Sequence, residues 1–262
     1  MKKTLTNIRA LILDMDGVLW RGDQLLIDPP AVFERIARVG AKALLMTNNA
    51  TRTVEHYFEK FARLGVRLAP WQVLTSAQAA AQYLRKKHPN GGTLFVIGED
   101  GLLRTLKESG FDHGQRDPLA VVAGLDRQLT YDKLRLATLL IRSGVPFVGT
   151  NPDRSFPTPE GLVPGAGAIL AALEAASDVS PLIIGKPQPI MYRQALQRLG
   201  TRPEETLAVG DRLETDIQGA QACGCKTALV LSGVTTPQAA HAWRPPPDLI
   251  APDLNAVLDL LQ

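Results

Sequence analysis

The sequence predicts an α/β fold built on a parallel sheet, and three observations carry that reading. Short apolar runs of strand length alternate with stretches that place apolar residues at helical spacing along most of the chain. The first run, Ala10-Leu11-Ile12-Leu13, is apolar throughout, as in a strand covered on both faces. Several runs also stop abruptly on charged, hydroxyl or amide residues. In an open parallel sheet the carboxyl ends of the strands share one edge, and ligands bind there.

The opening strand runs into Asp14-Met15-Asp16-Gly17. In extended backbone, side chains two apart share a side, so Asp14 and Asp16 are expected together. Two neighbouring carboxylates repel, which calls for a cation or a shared proton. Gly17 allows a sharp turn after them. A calcium-binding EF-hand loop would need Gly at its sixth position and Glu at its twelfth. Counting from Asp14, the Gly is fourth and the twelfth residue is Leu25, so that reading fails.

Further along, Pro29-Pro30 marks a loop, and residues 31–39 read as a helix stopped by Gly40. Residues 42–46 form a second strand, ending at Thr47-Asn48-Asn49-Ala50-Thr51-Arg52-Thr53. A hydroxyl, two amides and a following helix N-terminus can cradle an anion. Thr51 or Thr53 can equally serve as an N-cap. Residues 54–64, 77–87, 101–109, 131–143 and 165–176 read as helices; residues 72–74, 94–97, 120–122 and 146–149 read as strands. A Pro-rich loop is expected from 152 to 164. Gly165-Ala166-Gly167 lacks the third glycine of a dinucleotide fingerprint, since Leu170 stands there, and no strand precedes it. Residues 182–184 then form a buried strand entering Gly185-Lys186-Pro187, which would fix a cation at a strand end. Residues 190–199 read as a helix. Residues 206–209 form a strand ending at Gly210-Asp211-Arg212-Leu213-Glu214-Thr215-Asp216, with a helix from about Ile217 to Ala222. A strand at 227–231, a loop at Pro245-Pro246-Pro247 and an amphipathic helix at 253–261 complete the chain.

Composition excludes several classes. The 262 residues suit one large domain or two modest ones, and 45% of them are apolar, enough for a real core. The 29 basic and 26 acidic residues leave a formal charge of +3, too mild and dispersed for a nucleic-acid or membrane partner. Cys223 and Cys225 flank one Gly and lack zinc-ligand spacing, so they read as small apolar residues in a reducing compartment. The apolar stretch after Met1-Lys2-Lys3 is too short for a signal peptide, and no run reaches membrane-spanning length. A cytoplasmic location is therefore expected, and the acceptor-like Asn49-Ala50-Thr51 is not expected to carry a glycan.

Four strand ends thus offer two Asp, a Thr with Asn, a Lys, and two more Asp. Carboxylates gathered without His or Cys suit a hard, oxygen-seeking cation, above all Mg²⁺. A lysine and helix N-termini suit a phosphate. Together they suggest metal-assisted phosphoryl transfer with Asp as nucleophile.

Asp14-Met15-Asp16-Gly17, Thr47-Asn48-Asn49, Gly185-Lys186-Pro187 and Gly210-Asp211 with Asp216 resemble, in order and spacing, the four motifs of the haloacid dehalogenase superfamily. Thr47 to Arg52, the long insert before Lys186, and Gly149-Thr150-Asn151-Pro152-Asp153-Arg154 are similar to the subfamily IIA, NagD-like branch of nitrophenylphosphatases and nucleotide monophosphatases. The resemblance implies a doubly wound parallel sheet for residues 1–76 and 181–262, with an inserted α/β cap domain of C2 type at 77–180. It implies that Asp14 attacks phosphorus and Asp16 protonates the leaving alcohol, then activates water. Thr47 and the Asn48 backbone would hold phosphoryl oxygens, and Lys186 would offset charge. Asp14, the Asp16 backbone carbonyl and Asp211 would bind Mg²⁺, with Asp216 orienting metal waters. Dimers through the cap are common in similar proteins, so a homodimer is allowed.

The expected activity is Mg²⁺-dependent hydrolysis of small phosphomonoesters. Asp16 argues against dehalogenation, because a halide needs no acid to leave whereas an alkoxide benefits from one. A phosphotransferase or phosphomutase on the same core would need an acceptor site, which nothing in the insert marks. A non-catalytic phosphate-binding module would be expected to lack Asp14, Asp16 or Lys186, and all three are present. Within the insert, Asn151 to Phe156 is stiffened by Pro152 and Pro157, and its Arg154 is the candidate to read an acidic group on the substrate.

Overall fold

A computed structural model describes residues 5–158 and 160–261. The N-terminal Met1-Lys2-Lys3, weighed above as a leader, lies outside them. The chain divides into two compact units. The first comprises Met1–Thr47, Tyr57–Leu74 and Lys186–Gln262; the second comprises Asn48–His56 and Thr75–Gly185.

The first unit is built on a six-stranded sheet in the order Leu249–Ala251, Lys226–Val230, Thr206–Gly210, Ala10–Leu13, Lys42–Thr47, Val73–Thr75. Ala10–Leu13 lies near its middle and pairs in parallel with Thr206–Gly210 on one side and Lys42–Thr47 on the other. Leu13 stands level with Val209 and Leu45, so the chain passes Asp14, Met46 and Gly210 at one sheet edge. All four residues of Ala10–Leu13 are buried, as a doubly covered strand requires. The helix Pro29–Arg38 starts on two prolines, whose fixed φ and missing N–H suit a first turn, and buries Val32 and Ile36. Phe61 is fully buried and packs its ring against Trp20 and Phe33, with centroids 5.7 and 5.8 Å away.

The second unit carries a five-stranded parallel sheet in the order Leu182–Ile183, Phe147–Gly149, Val121–Ala123, Gly92–Ile97, Phe111–His113. Phe95, Val121, Phe147, Ile169 and Leu173 form part of its core. The helix Ser76–Lys87 opens on a capping box in which the Thr75 hydroxyl accepts from the Gln78 N–H and the Gln78 amide oxygen accepts from the Thr75 N–H.

Three expectations are corrected. The 152–164 segment is not a plain loop: Ser155–Thr158 and Gly161–Pro164 pair as an antiparallel hairpin. Its prolines read as loop signals, yet a two-stranded ribbon leaves each strand one unpaired edge where a missing N–H costs nothing. The strand before Lys186 belongs to the second unit's sheet, not to the sheet that ends on Asp14, and its Leu182 is exposed. The final helix is shorter than expected, Leu254–Leu258, capped by Asp253 through the Ala256 N–H. Leu249–Ala251, Phe111–His113 and the helix Pro237–Ala242 lack a clear local pattern and were not foreseen. Among the described residues no helix is long and apolar enough to cross a membrane.

Candidate active site

The site grows from where two neighbouring strands of the first sheet end. Asp14 follows Ala10–Leu13, and its N–H still bonds the Val209 carbonyl at 2.9 Å, so its position is set by the sheet itself. Asp211 follows Thr206–Gly210 directly. Asp216 lies one turn on, in the π-helical turn Leu213–Ile217 that opens into the helix Gln218–Ala222.

Lys186 joins them. Its ammonium donates to Asp14 Oδ1 at 2.7 Å, to Asp216 Oδ1 at 2.6 Å and to the Met46 carbonyl at 3.3 Å. Its side chain and that of Asp216 are each only 4% exposed, and that of Asp14 13%, so these ion pairs are shielded from water and from salt. Asp216 uses its second oxygen to accept the Arg212 N–H at 3.1 Å, and Tyr192 donates its hydroxyl to the Asp216 carbonyl at 2.7 Å. Asp211 Oδ2 accepts the Val234 N–H at 2.8 Å. Its Oδ1 is buried and has no hydrogen-bond partner among the described residues.

Carboxylate oxygens of Asp14, Asp211 and Asp216 lie within 4.8 Å of one another. Three negative charges thus face one ammonium, and the imbalance shows in their proton affinities. Burial lifts the Asp14 carboxyl well above the ordinary carboxylate range; Lys186 opposes this, while Asp216 and Asp211 add to it. Burial, reinforced by Asp216, pushes Asp211 up to about 6, against the Val234 N–H. Burial works against the Lys186 charge, but Asp14 and Asp216 outweigh it and raise its pKa. A buried carboxylate oxygen with no donor costs about 1–3 kcal/mol or more. An excess of buried negative charge and an all-oxygen donor set fit a hard divalent cation at Asp14 and Asp211. Both Asp216 oxygens already accept hydrogen bonds, which suits it to holding Lys186 and the neighbouring backbone.

Backbone around Asp211 leaves no room for side chains. A Cβ at Gly17, whose φ is +83°, would lie 2.4 Å from Asp211 Oδ2, and one at Gly233 would lie 1.9 Å from it. Gly233 and the Val234 N–H were missed in the sequence. The available signal was Ser232-Gly233-Val234-Thr235, a glycine flanked by hydroxyl residues just after a strand.

The other expected residues are placed differently. The chain bends at Met15 rather than running on extended, so Asp16 does not join the carboxylate cluster. It is exposed, and its Oδ1 accepts the Trp20 indole N–H at 2.9 Å. Thr47 is buried at the end of the strand Lys42–Thr47, next to Ala10–Leu13. Asn48 begins the second unit, where its amide donates to Asp153 and its carbonyl accepts from Ser76 and Asn151. The Asn49 side chain accepts from the N–H and hydroxyl of Thr51, while Thr53 Oγ1 accepts from the His56 N–H at the start of the helix Val54–Arg63. Arg154, also in the second unit, is exposed just before the hairpin.

The chain belongs to the haloacid dehalogenase-like hydrolases, in the subfamily IIA, NagD-like branch, and is an enzyme of that hydrolase type. A family model described as haloacid dehalogenase-like hydrolase matches residues 11–112, and a HAD-hydrolase-like model matches residues 183–257. An acid sugar phosphatase of Staphylococcus aureus is 36% identical over 259 residues, covering 98% of this chain and all of the relative. The 4-nitrophenylphosphatase of Thermotoga maritima superposes with a TM-score of 0.91 at 31% identity, covering 97% of each chain. NagD from E. coli superposes at 0.86 and 32% identity, covering 94% of this chain and 96% of that one.

Lys186→Met tests the electrostatic reading. In metal-free protein the variant removes the ammonium that opposes the burial-driven rise of the Asp14 carboxyl, so its folded pKa rises further above the unfolded one. Folding then takes up protons, and stability falls as pH rises through the carboxylate range. Urea unfolding should show a small gap from the parent near pH 4.5, widening to about 3–5 kcal/mol at pH 7.5. A gap that does not change with pH would contradict the assignment.

Proposed function

We propose that the chain is a Mg²⁺-dependent phosphatase of small phosphomonoesters, working through an aspartyl-phosphate on Asp14. The observation that carries this is the Lys186-bridged Asp14, facing Asp211 with its buried, unpartnered oxygen. The phosphatase names of the Staphylococcus aureus and Thermotoga maritima relatives support it.

A nucleophilic carboxylate must be ionised, and burial alone would keep Asp14 protonated. Lys186 counters that penalty, and it is itself held cationic by Asp14 and Asp216. Asp14, Asp211 and the Asp16 backbone carbonyl would hold Mg²⁺, which would supply further positive charge against the nucleophile and the phosphoryl oxygens. In the first step an Asp14 oxygen bonds to phosphorus as the bond to the leaving oxygen breaks, and Asp16 gives that oxygen its proton. In the second, water attacks the same phosphorus, Asp16 takes the water's proton, and Asp14 departs as a free carboxylate. Thr47 and the Asn48 backbone hold phosphoryl oxygens. Asp216 acts one step back, by fixing Lys186.

The second unit serves as the cap that chooses the leaving group, since the catalytic edge meets only the phosphoryl group and the metal. Arg154 is its candidate reader of acidic substrates, with a planar fork suited to carboxylate or phosphate.

Phosphate release from nitrophenyl phosphate tests the central reading. Turnover should vanish with excess chelator and return with Mg²⁺, and Asp14→Asn, isosteric but not nucleophilic, should lose about 10³-fold or more while remaining folded. Activity in chelator, or near-parent activity of a folded Asp14→Asn protein, would refute it.

The cap reading is tested by kcat/KM of Arg154→Ala. A loss of about tenfold or more on an anionic ester, with nitrophenyl phosphate little changed, is expected for a lost charge-assisted contact. Equal effects on both esters would leave Arg154 an ordinary surface cation.

A further inference from the structure

Trp20 is hydrogen-bonded to the Asp16 side chain, and the roles proposed so far do not use it. It is 4% exposed, although the carboxyl it touches is exposed. Its indole N–H donates to Asp16 Oδ1 at 2.9 Å. The ring cannot drift. Lys60 Nζ sits 3.4 Å from its centroid, a cation–π contact on its face, and the buried Phe61 ring packs against it at 5.7 Å. The backbone is tied as firmly. The Trp20 carbonyl accepts the Gly17 N–H at 2.7 Å, and the N–H groups of Val18, Leu19 and Trp20 all turn back to the Met15 carbonyl. Gly17, with φ at +83°, makes that turn feasible.

An indole nitrogen donates and never accepts. Asp16 Oδ1 is therefore required to be the acceptor, and a proton carried by the Asp16 carboxyl resides on Oδ2. Among the described residues Oδ2 makes no hydrogen bond, although the Lys60 ammonium over the Trp20 ring interacts electrostatically with the Asp16 carboxylate. An exposed carboxyl without such an anchor would swing among rotamers and present either oxygen.

We infer that Trp20 is a positioning residue for acid–base transfer: its N–H selects the Asp16 oxygen that carries the proton and holds it toward the leaving group. The inference rests on the acid role proposed for Asp16. It has a particular consequence. Nitrophenolate leaves with little help from an acid, whereas an alkoxide needs the proton. Losing the indole N–H then hurts alkyl esters selectively, while a general loosening of the fold would slow both classes alike.

The test is kcat on nitrophenyl phosphate and on a simple alkyl phosphate, glycerol phosphate, with Mg²⁺ saturating. Trp20→Phe keeps an aromatic ring for Lys60 and Phe61 but has no N–H. Placing benzothienylalanine at position 20 keeps the indole shape, with sulfur replacing the N–H, and serves if Trp20→Phe misfolds. Either change should lower the alkyl-to-aryl rate ratio by about tenfold, the scale of one hydrogen bond to a charged group. An unchanged ratio in both variants would overturn the positioning role. Asp16→Asn separates the two ideas. If it fails to lower the same ratio, the acid reading itself is wrong. If it lowers the ratio and the Trp20 changes do not, only the inference about Trp20 falls.

Discussion

Lys186 is bonded to Asp14 at 2.7 Å and to Asp216 at 2.6 Å, out of water, and most of what is distinctive about the first unit follows from that triad. A lone buried carboxylate would take up a proton, and a lone buried lysine would lose one. Here Asp14 and Asp216 hold Lys186 cationic, and Lys186 offsets part of the burial that lifts the Asp14 carboxyl. With Asp211 adding a third carboxylate, whose Oδ1 meets no donor among the described residues, the cluster is two positive charges short of balance. That shortfall, rather than any one motif, is why the edge of the sheet suits a divalent cation. The fold supports this arrangement through Ala10–Leu13, whose two parallel neighbours set where Asp14 and Asp211 emerge. Two positions without side chains, Gly17 and Gly233, leave Asp211 the space it occupies.

Residues whose roles come from strand ends were legible in the sequence. Asp14, Thr47 and Asp211 stand where an apolar run stops, with Asp216 one turn further on, and burial makes such runs visible without any knowledge of their partners. Lys186 is legible as a fixed cation, but the sheet that its strand joins is not. A two-residue strand with an exposed Leu182 has no local feature that names its neighbour. Pairing is a long-range choice, and the same holds for the short strands Phe111–His113 and Leu249–Ala251. The hairpin at Ser155–Thr158 and Gly161–Pro164 was hidden for a different reason, since its prolines signal a loop until the ribbon's open edges are known. Asp16 parted from Asp14 because Met15 bends the chain, and Gly233 acquires meaning only from Asp211, a residue 22 positions earlier.

The family explains why these groups recur together, while the chemistry of the site explains what they can do. Relatives called acid sugar phosphatase and 4-nitrophenylphosphatase match nearly the whole chain. An edge made of carboxylates, one lysine and a threonine has features to grip a phosphoryl group and none to recognise a sugar or an aromatic ring. Choice of ester would then fall to other parts of the molecule, which is the reading proposed for the second unit and its exposed Arg154.

At the centre stands the claim that Asp14 is the atom donor of a covalent intermediate, poised by Lys186. Acyl phosphates survive acid and are reduced by borohydride, so the bond can be trapped and located. Protein in excess over substrate, quenched in acid during the first turnover, reduced and digested, should yield a peptide in which position 14 alone has become homoserine. Reduction at another carboxylate, or phosphate released in that turnover with no reducible group ever formed, would contradict the covalent role of Asp14.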